Sequence, residues 1–251
     1  MEASVYAADA ELEANHWWYV GRRKLFGNLI NTLHLTDSSD VVDIGTSSGT
    51  NLRLLADLGF SRIRGVDASP IAVEFCAAKG FDRVLLGDVC ALPFEDGELD
   101  LVLATDIVEH VDDDVGAMRE ITRVLKPGGC ALITVPAFRM LWGHQDDLSH
   151  HKRRYLKNDM IALCRDAGLK PVRSFYFNYL LFFPIYVARR LLRLSGTKPI
   201  PETRLNAPVL NRMLSAVFTV DIKTAPVLRP PFGVSFLVLA QRPEPAPDAP
   251  V

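Results

Sequence analysis

The sequence predicts an α/β protein built on a doubly wound, mostly parallel sheet, and two observations carry that prediction. First, short apolar runs recur at residues 41–44, 63–66, 84–86, 99–104 and 130–135, with helical spacing between them. Second, the first run opens VVDIGTSSGTN, where Gly45 and Gly49 stand four apart and Leu52, Leu54, Leu55 and Leu58 then recur at helical spacing. Strand, tight turn and helix in that order place a ligand at the carboxyl end of the strand. Gly45 suits a backbone that turns with positive φ, and Gly49 lets the following helix sit close.

Taken in order, residues 8–35 read as helical and carry the block His16-Trp17-Trp18-Tyr19-Val20-Gly21-Arg22-Arg23-Lys24. After the first strand, helices are predicted over 51–58, 70–79 and 113–125. Pro70 suits a first helical position, and Asp112, Asp113 and Asp114 complement a helix N-terminus. The second strand ends in Asp67, about twenty residues past the glycine turn, where an acid meets a ribose. Asp88 follows the third run. A turn at Lys126-Pro127-Gly128-Gly129 precedes the fifth strand, and a loop over 137–155 follows it. Residues 157–168 form a helix closed by Gly168. Strands at 171–177 and 233–241 are separated by about 55 residues, too many for a hairpin loop.

The blocks VVDIGTSSGTN, GVDAS, GDVCALPFEDGELDLVLATDIVEHVDD and LKPGG together resemble the class I S-adenosylmethionine (SAM)-dependent methyltransferases, most closely the subgroup related to the quinone-biosynthesis enzymes. The resemblance covers roughly residues 40–136. It implies a Rossmann-like seven-stranded methyltransferase sheet with N-terminal helices and a helical insertion between the last two strands. It also implies SAM as cofactor. Asp67 would take the ribose hydroxyls, and Asp88 with the Val89 backbone would meet the adenine beside Ala68 and Leu92. Asp43, Gly45, Thr46, Gly49, Thr105 and Asp106 would surround the methionine part. The departure is Ser47, where the family usually has a third glycine.

Physical chemistry points the same way. No G-x-G-x-x-G or phosphate loop is present, and Asp43, Asp67, Asp88 and Asp106 line the strand ends. Carboxylates attract a sulfonium and an ammonium and repel a pyrophosphate. The rival readings are an NAD(H) oxidoreductase and a SAM-binding scaffold or regulatory partner without turnover.

The His-Trp-Trp-aromatic block also resembles that subgroup. Trp18 and Tyr19 would close over substrate, with Arg22 or Arg23 on a carboxylate, or the tryptophans simply dock the helix on the sheet. In the 137–155 loop, Asp146 with His151-Lys152-Arg153-Arg154-Tyr155 resembles a further block of the subgroup. One reading makes His151 a general base oriented by Asp146, with His144 in reserve, and assigns Arg153, Arg154 and Tyr155 to substrate. A second takes His144, Asp146, His150 and His151 as metal ligands; their spacing matches no zinc motif, and no metal is assigned. A third pairs the loop's arginines and aspartates with each other.

The organisation read from the chain is an N-terminal helical lid (1–38), a SAM-binding core (39–178), the insertion (179–231), a last core strand (232–242) and a disordered tail (243–251). The insertion serves as an acceptor wall, a peripheral membrane contact through 179–194, or a homodimer interface. The methyl acceptor is small or lipidic and is methylated at oxygen. A net charge of −2 excludes a dedicated nucleic-acid binder, and 49% hydrophobic residues allow a large core. Four scattered cysteines and a start without signal-peptide character suggest a reduced cytoplasmic compartment, with membrane association left open.

Overall fold

A computed structural model describes residues 12–195 and 207–245. The predicted helix start at residues 8–11 and the tail from 246 lie outside them. Seven strands form one sheet: β1 (Asp40–Ile44), β2 (Arg62–Asp67), β3 (Val84–Leu86), β4 (Leu99–Thr105), β5 (Leu125–Pro136), β6 (Lys170–Phe177) and β7 (Ser235–Gln241). Their order is β3-β2-β1-β4-β5-β7-β6, with β7 antiparallel to both neighbours and the other pairs parallel. The order reverses beside β1 and β4, which is where an open α/β sheet leaves a crevice.

Alternation along the strands separates two cores. Val42, Ile44, Val102, Ala104, Ile133, Val135, Phe236 and Val238 face one side. There they meet the buried stripes of α4 (Asp114–Val124) and α6 (Lys157–Asp166). Val41, Leu101, Leu103, Leu132, Leu237 and Leu239 face the other. That side is covered by α1 (Trp17–Ile30), α2 (Thr50–Asp57) and α8 (Pro208–Leu228). Central parallel strands need both faces covered, which explains their continuous apolar runs.

Four expectations are corrected. The N-terminal helix is broken at His16, whose ring accepts the Trp18 N–H, and it ends at Ile30 rather than Leu35. The Lys126–Gly129 turn lies inside β5, where Gly128 at φ +78° donates its N–H to Arg242 O. The 137–155 loop contains a short helix, α5 (His144–Leu148). The second half of the insertion, α8, is a structural layer of the fold: Phe218, Ile222 and Ala225 are buried against α1 and the sheet. Among the described residues of the insertion, α7 (Phe182–Ser195) lines the crevice through Ile185 and Arg189, with Phe183, Val187 and Leu191 exposed along it. The remaining helix, α3 (Pro70–Ala78), follows β2. Among the described residues no helix is long and apolar enough to cross a membrane.

Candidate active site

Strand register sets Ile44 beside Val66 and Ala104, so the turn after β1, Asp67 and Thr105 reach one rim together. Gly45 and Gly49 adopt φ +76° and +83°. A Cβ on Gly45 would lie 2.8 Å from Ile107 Cδ1 and would hold a strained positive φ, so glycine is favoured beneath the 105–107 segment. Ser47, the departure noted in the sequence, takes a left-handed φ of +47° and donates its N–H to Asp67 Oδ2 at 2.9 Å. Ser69 N–H donates to Asp67 Oδ1, also at 2.9 Å. Asp67 is half-buried, and each oxygen keeps a further lone pair for a ligand hydroxyl.

Asp43 is fully buried behind the turn. Its Oδ1 accepts from Asn51 Nδ2 at 2.9 Å, and the same amide donates to Thr105 Oγ1 at 3.0 Å. Burial, only partly offset by the Asn51 bond, pushes its carboxyl up to about 8. Thr46 is buried as well. Asp88 and Ala68 are exposed near the rim, while the Val89 and Leu92 side chains enter the core. Glu13 accepts hydrogen bonds from the Ser48 and Thr50 hydroxyls, bringing the N-terminal segment onto the turn.

Beside this rim lies a cavity of ≈ 290 Å³. Trp17, Trp18 and Tyr19 of α1 and Ile185 and Arg189 of α7 wall it; Asp106, Glu109, His110 and His151 form its polar side. Trp18 also stacks on Phe177 and Phe218, at centroid distances of 5.8 and 5.3 Å. The tryptophans therefore dock the helix and line the cavity at once. Arg22 is committed to Asp106 Oδ2 at 2.5 Å and packs between Trp18 and Phe26; Arg23 donates to Glu13 O at 2.6 Å. Both arginines are thus engaged within the protein, and Arg22 also lines the cavity.

Asp146, fully buried, anchors the catalytic candidates. It accepts Gly143 N–H at 2.7 Å, His151 Nδ1 at 2.8 Å, and a bidentate pair from Arg154 at 2.8 and 2.9 Å. Burial opposes its ionisation, but the bonds from His151 and Arg154 outweigh burial and hold the carboxyl well below the usual range. An ionised Asp146 fixes the proton of His151 on Nδ1 and leaves Nε2 on the cavity side, 4.0 Å from Glu109 Oε1. Glu109 is fully buried and neither carboxylate oxygen has a hydrogen-bond partner among the described residues. Burial, then the nearby Asp106 charge, raises its carboxyl well above the ordinary range. The His110 ring meets that of His151 edge-on at 4.7 Å.

The other substrate candidates are placed differently. Arg154 reaches the cavity wall but is held by Asp146 and by Ala137 O at 2.8 Å. Arg153 pairs with Asp114 at 2.7 Å and donates to Asp112 O, away from the cavity. Tyr155 is buried, its hydroxyl donating to Asp114 at 2.9 Å; burial and that carboxylate raise its phenol. His144 opens α5 and is not among the side chains lining the cavity. Sequence reasoning gave Arg189 to a basic membrane-facing side of 179–194 and gave Ile185 no role; their i, i+4 spacing on an amphipathic helix was the available signal for a shared cavity wall.

The seven-stranded sheet with its flanking helices is the Rossmann-like methyltransferase fold. Residues 42–133 match the family described as a methyltransferase domain, and the chain carries a SAM-dependent methyltransferase domain there. Among curated relatives, norajmaline N-methyltransferase of Rauvolfia serpentina is 33% identical over 49% of this chain and 46% of its own length. A probable chloroplastic tocopherol O-methyltransferase of Oryza sativa subsp. japonica is 32% identical over 53% of this chain and 43% of its own. The chain spans less than half the length of these relatives. Among solved structures, the complex containing the Haloferax volcanii Trm112 methyltransferase activator aligns with TM-score 0.64 at 23% identity, covering 97% of this chain and 96% of that one. Geranyl diphosphate methyltransferase with SAM aligns with TM-score 0.55 at 16% identity, over 83% and 79% of the two chains.

Proposed function

We propose that the protein transfers a methyl group from SAM to an oxygen of a phenolic or similar hydroxyl acceptor, bound in the cavity between α1 and α7. The observation that carries this reading is the Asp146–His151 pair at 2.8 Å, with Nε2 on the side of an aromatic-walled cavity. The residues at the rim fit SAM: a glycine turn that disfavours a side chain at Gly45, Asp67 with lone pairs to spare, and an acidic surround suited to a cation. Bound there, SAM supplies an electrophilic methyl on sulfur and leaves as S-adenosylhomocysteine.

The protein's own work is positioning and proton removal. Trp17, Trp18 and Ile185 exclude water and orient a flat acceptor. His151 Nε2 takes the hydroxyl proton as the new O–C bond forms, and Asp146 stabilises the resulting imidazolium. The exposed apolar side of α7 next to the cavity supports an acceptor with an apolar tail, as do relatives named for tocopherol and 2-methyl-6-phytyl-1,4-hydroquinone.

The test is conversion of SAM to S-adenosylhomocysteine with a panel of phenols bearing apolar substituents. His151→Ala is expected to lower kcat about 100-fold or more, in the range of general-base loss, with SAM affinity unchanged. Unchanged kcat in that variant refutes the base. SAM binding without turnover on any hydroxyl acceptor favours the scaffold reading.

A further inference from the structure

We propose that Glu109, His110 and His151 form a binding site for a divalent first-row transition-metal ion on the polar side of the cavity. Each contributes one ligand atom, and these atoms lie within 4.8 Å of one another. Glu109 supplies the independent sign: it is fully buried, borders the cavity, and both its oxygens lack a partner among the described residues. A buried carboxyl group without partners is unfavourable in either form, as a desolvated charge when ionised and as an unmet donor and acceptor when neutral, and a cation that replaces its proton would satisfy it. The neighbouring acids are already matched, Asp106 with Arg22 and Asp146 with Arg154.

The backbone preorganises the set. Glu109 and His110 share the 3-10 turn Val108–His110 that follows β4. Lys152 N–H donates to Glu109 O at 2.8 Å, which clips the segment carrying His151 onto that turn. His151 Nδ1 is fixed by Asp146, the outer carboxylate that commonly orients a metal-bound imidazole, and its Nε2 remains for the ion. Ligand atoms about 2.1 Å from a metal stand roughly 3.4 Å apart in tetrahedral geometry, a contraction within reach of side-chain torsions. Two imidazoles and one carboxylate suit zinc, cobalt, manganese or iron(II) better than magnesium or calcium. The uncoordinated side of the ion faces the cavity and takes an oxygen of the acceptor. This rests on the reading of the cavity as the acceptor site, and it recasts His151 as a ligand whenever the ion is bound.

The test uses the full chain, dialysed against a chelator, without SAM. Cobalt(II) is titrated while its visible absorption is followed, and zinc is measured by competition with a chromophoric chelator. One equivalent is expected to bind, with affinity weakened about 100-fold or more in Glu109→Gln and His110→Ala and unchanged in His144→Ala. Circular dichroism and melting temperature establish that each variant is folded. Glu109→Gln keeps the side-chain size, so it reports on the site if His110→Ala does not fold. No saturable binding by the wild type, or equal binding by Glu109→Gln, overturns the proposal. Turnover is scored separately: methyl transfer by protein that takes up no metal leaves the acceptor reading intact and removes only the metal. Glu109-dependent uptake without methyl transfer does the reverse.

Discussion

Asp43 and Ser47 flank one turn, and each carries a cost that a single substitution should reveal. Burial pushes the Asp43 carboxyl up to about 8 in the folded state, whereas in the unfolded chain it ionises at the ordinary aspartate value of about 3.9. The folded state therefore binds more protons across that interval, and stability falls as pH rises from about 4 to about 8. Asp43→Asn retains an oxygen for Asn51 and has no charge to bury. It should be more stable than the wild type at pH 8 and nearly equal at pH 4.5, as read by urea unfolding at the two pH values; a constant difference would contradict this. Ser47 holds φ +47°, a conformation that costs a residue with a Cβ roughly 1 kcal/mol. Ser47→Gly should raise stability by up to about 1 kcal/mol, since among the described residues no hydrogen bond of its side chain is lost while its N–H can still reach Asp67. The row of acids was legible from sequence. Their depth was not, because Asp43 is buried by the way Asn51, Ile107 and the turn close around it, and no spacing rule encodes that.

Between elements, the decisive contact joins the two ends of the chain. Trp17 meets Phe218 edge-on at 5.2 Å, Trp18 stacks on the same ring, and a Cβ added to Gly21 would run into it. Gly21→Ala should thus cost about 1–3 kcal/mol by overpacking, despite alanine's better helix propensity. Adding Phe218→Ala should recover part of that loss, giving non-additive urea midpoints; strict additivity would mean the helices do not meet there. The insertion was read as helical, but helical character does not say which surface covers it, so the core layer α8 was grouped with an acceptor wall or an interface. Arg153 and Tyr155 went to substrate for a similar reason. Their partner Asp114 lies about 40 residues earlier in the chain, and only the fold brings them together. Asp146 and His151, five apart, were close enough for sequence to pair, and in the structure they meet at 2.8 Å.

At the scale of the molecule, the cavity is where three separate stretches converge: α1 from the N-terminal region, the rim of the sheet, and α7 from the insertion. Segment 12–15 is tied to the turn through Glu13, so a ligand seated on that rim is coupled to the packing of α1 and, through Phe218, of α8. SAM at about 100 times its Kd should add about 2.7 kcal/mol to the folded state. In a domain of this size that is a rise of roughly 5–10 °C in Tm. NADH should give none, because its pyrophosphate would face Asp67 with no glycine pair to receive it, while Arg22 is held by Asp106. Asp67→Asn separates the cofactor's contribution from that of the fold. It converts one acceptor oxygen into a donor, so the unliganded protein should lose about 1 kcal/mol from the Ser47 or Ser69 bond. The increment on adding SAM should shrink further, since the ribose hydroxyls lose their shared acceptor. An undiminished increment in Asp67→Asn would mean the nucleoside binds elsewhere, and with it the alignment of cofactor, cavity and His151 would fail.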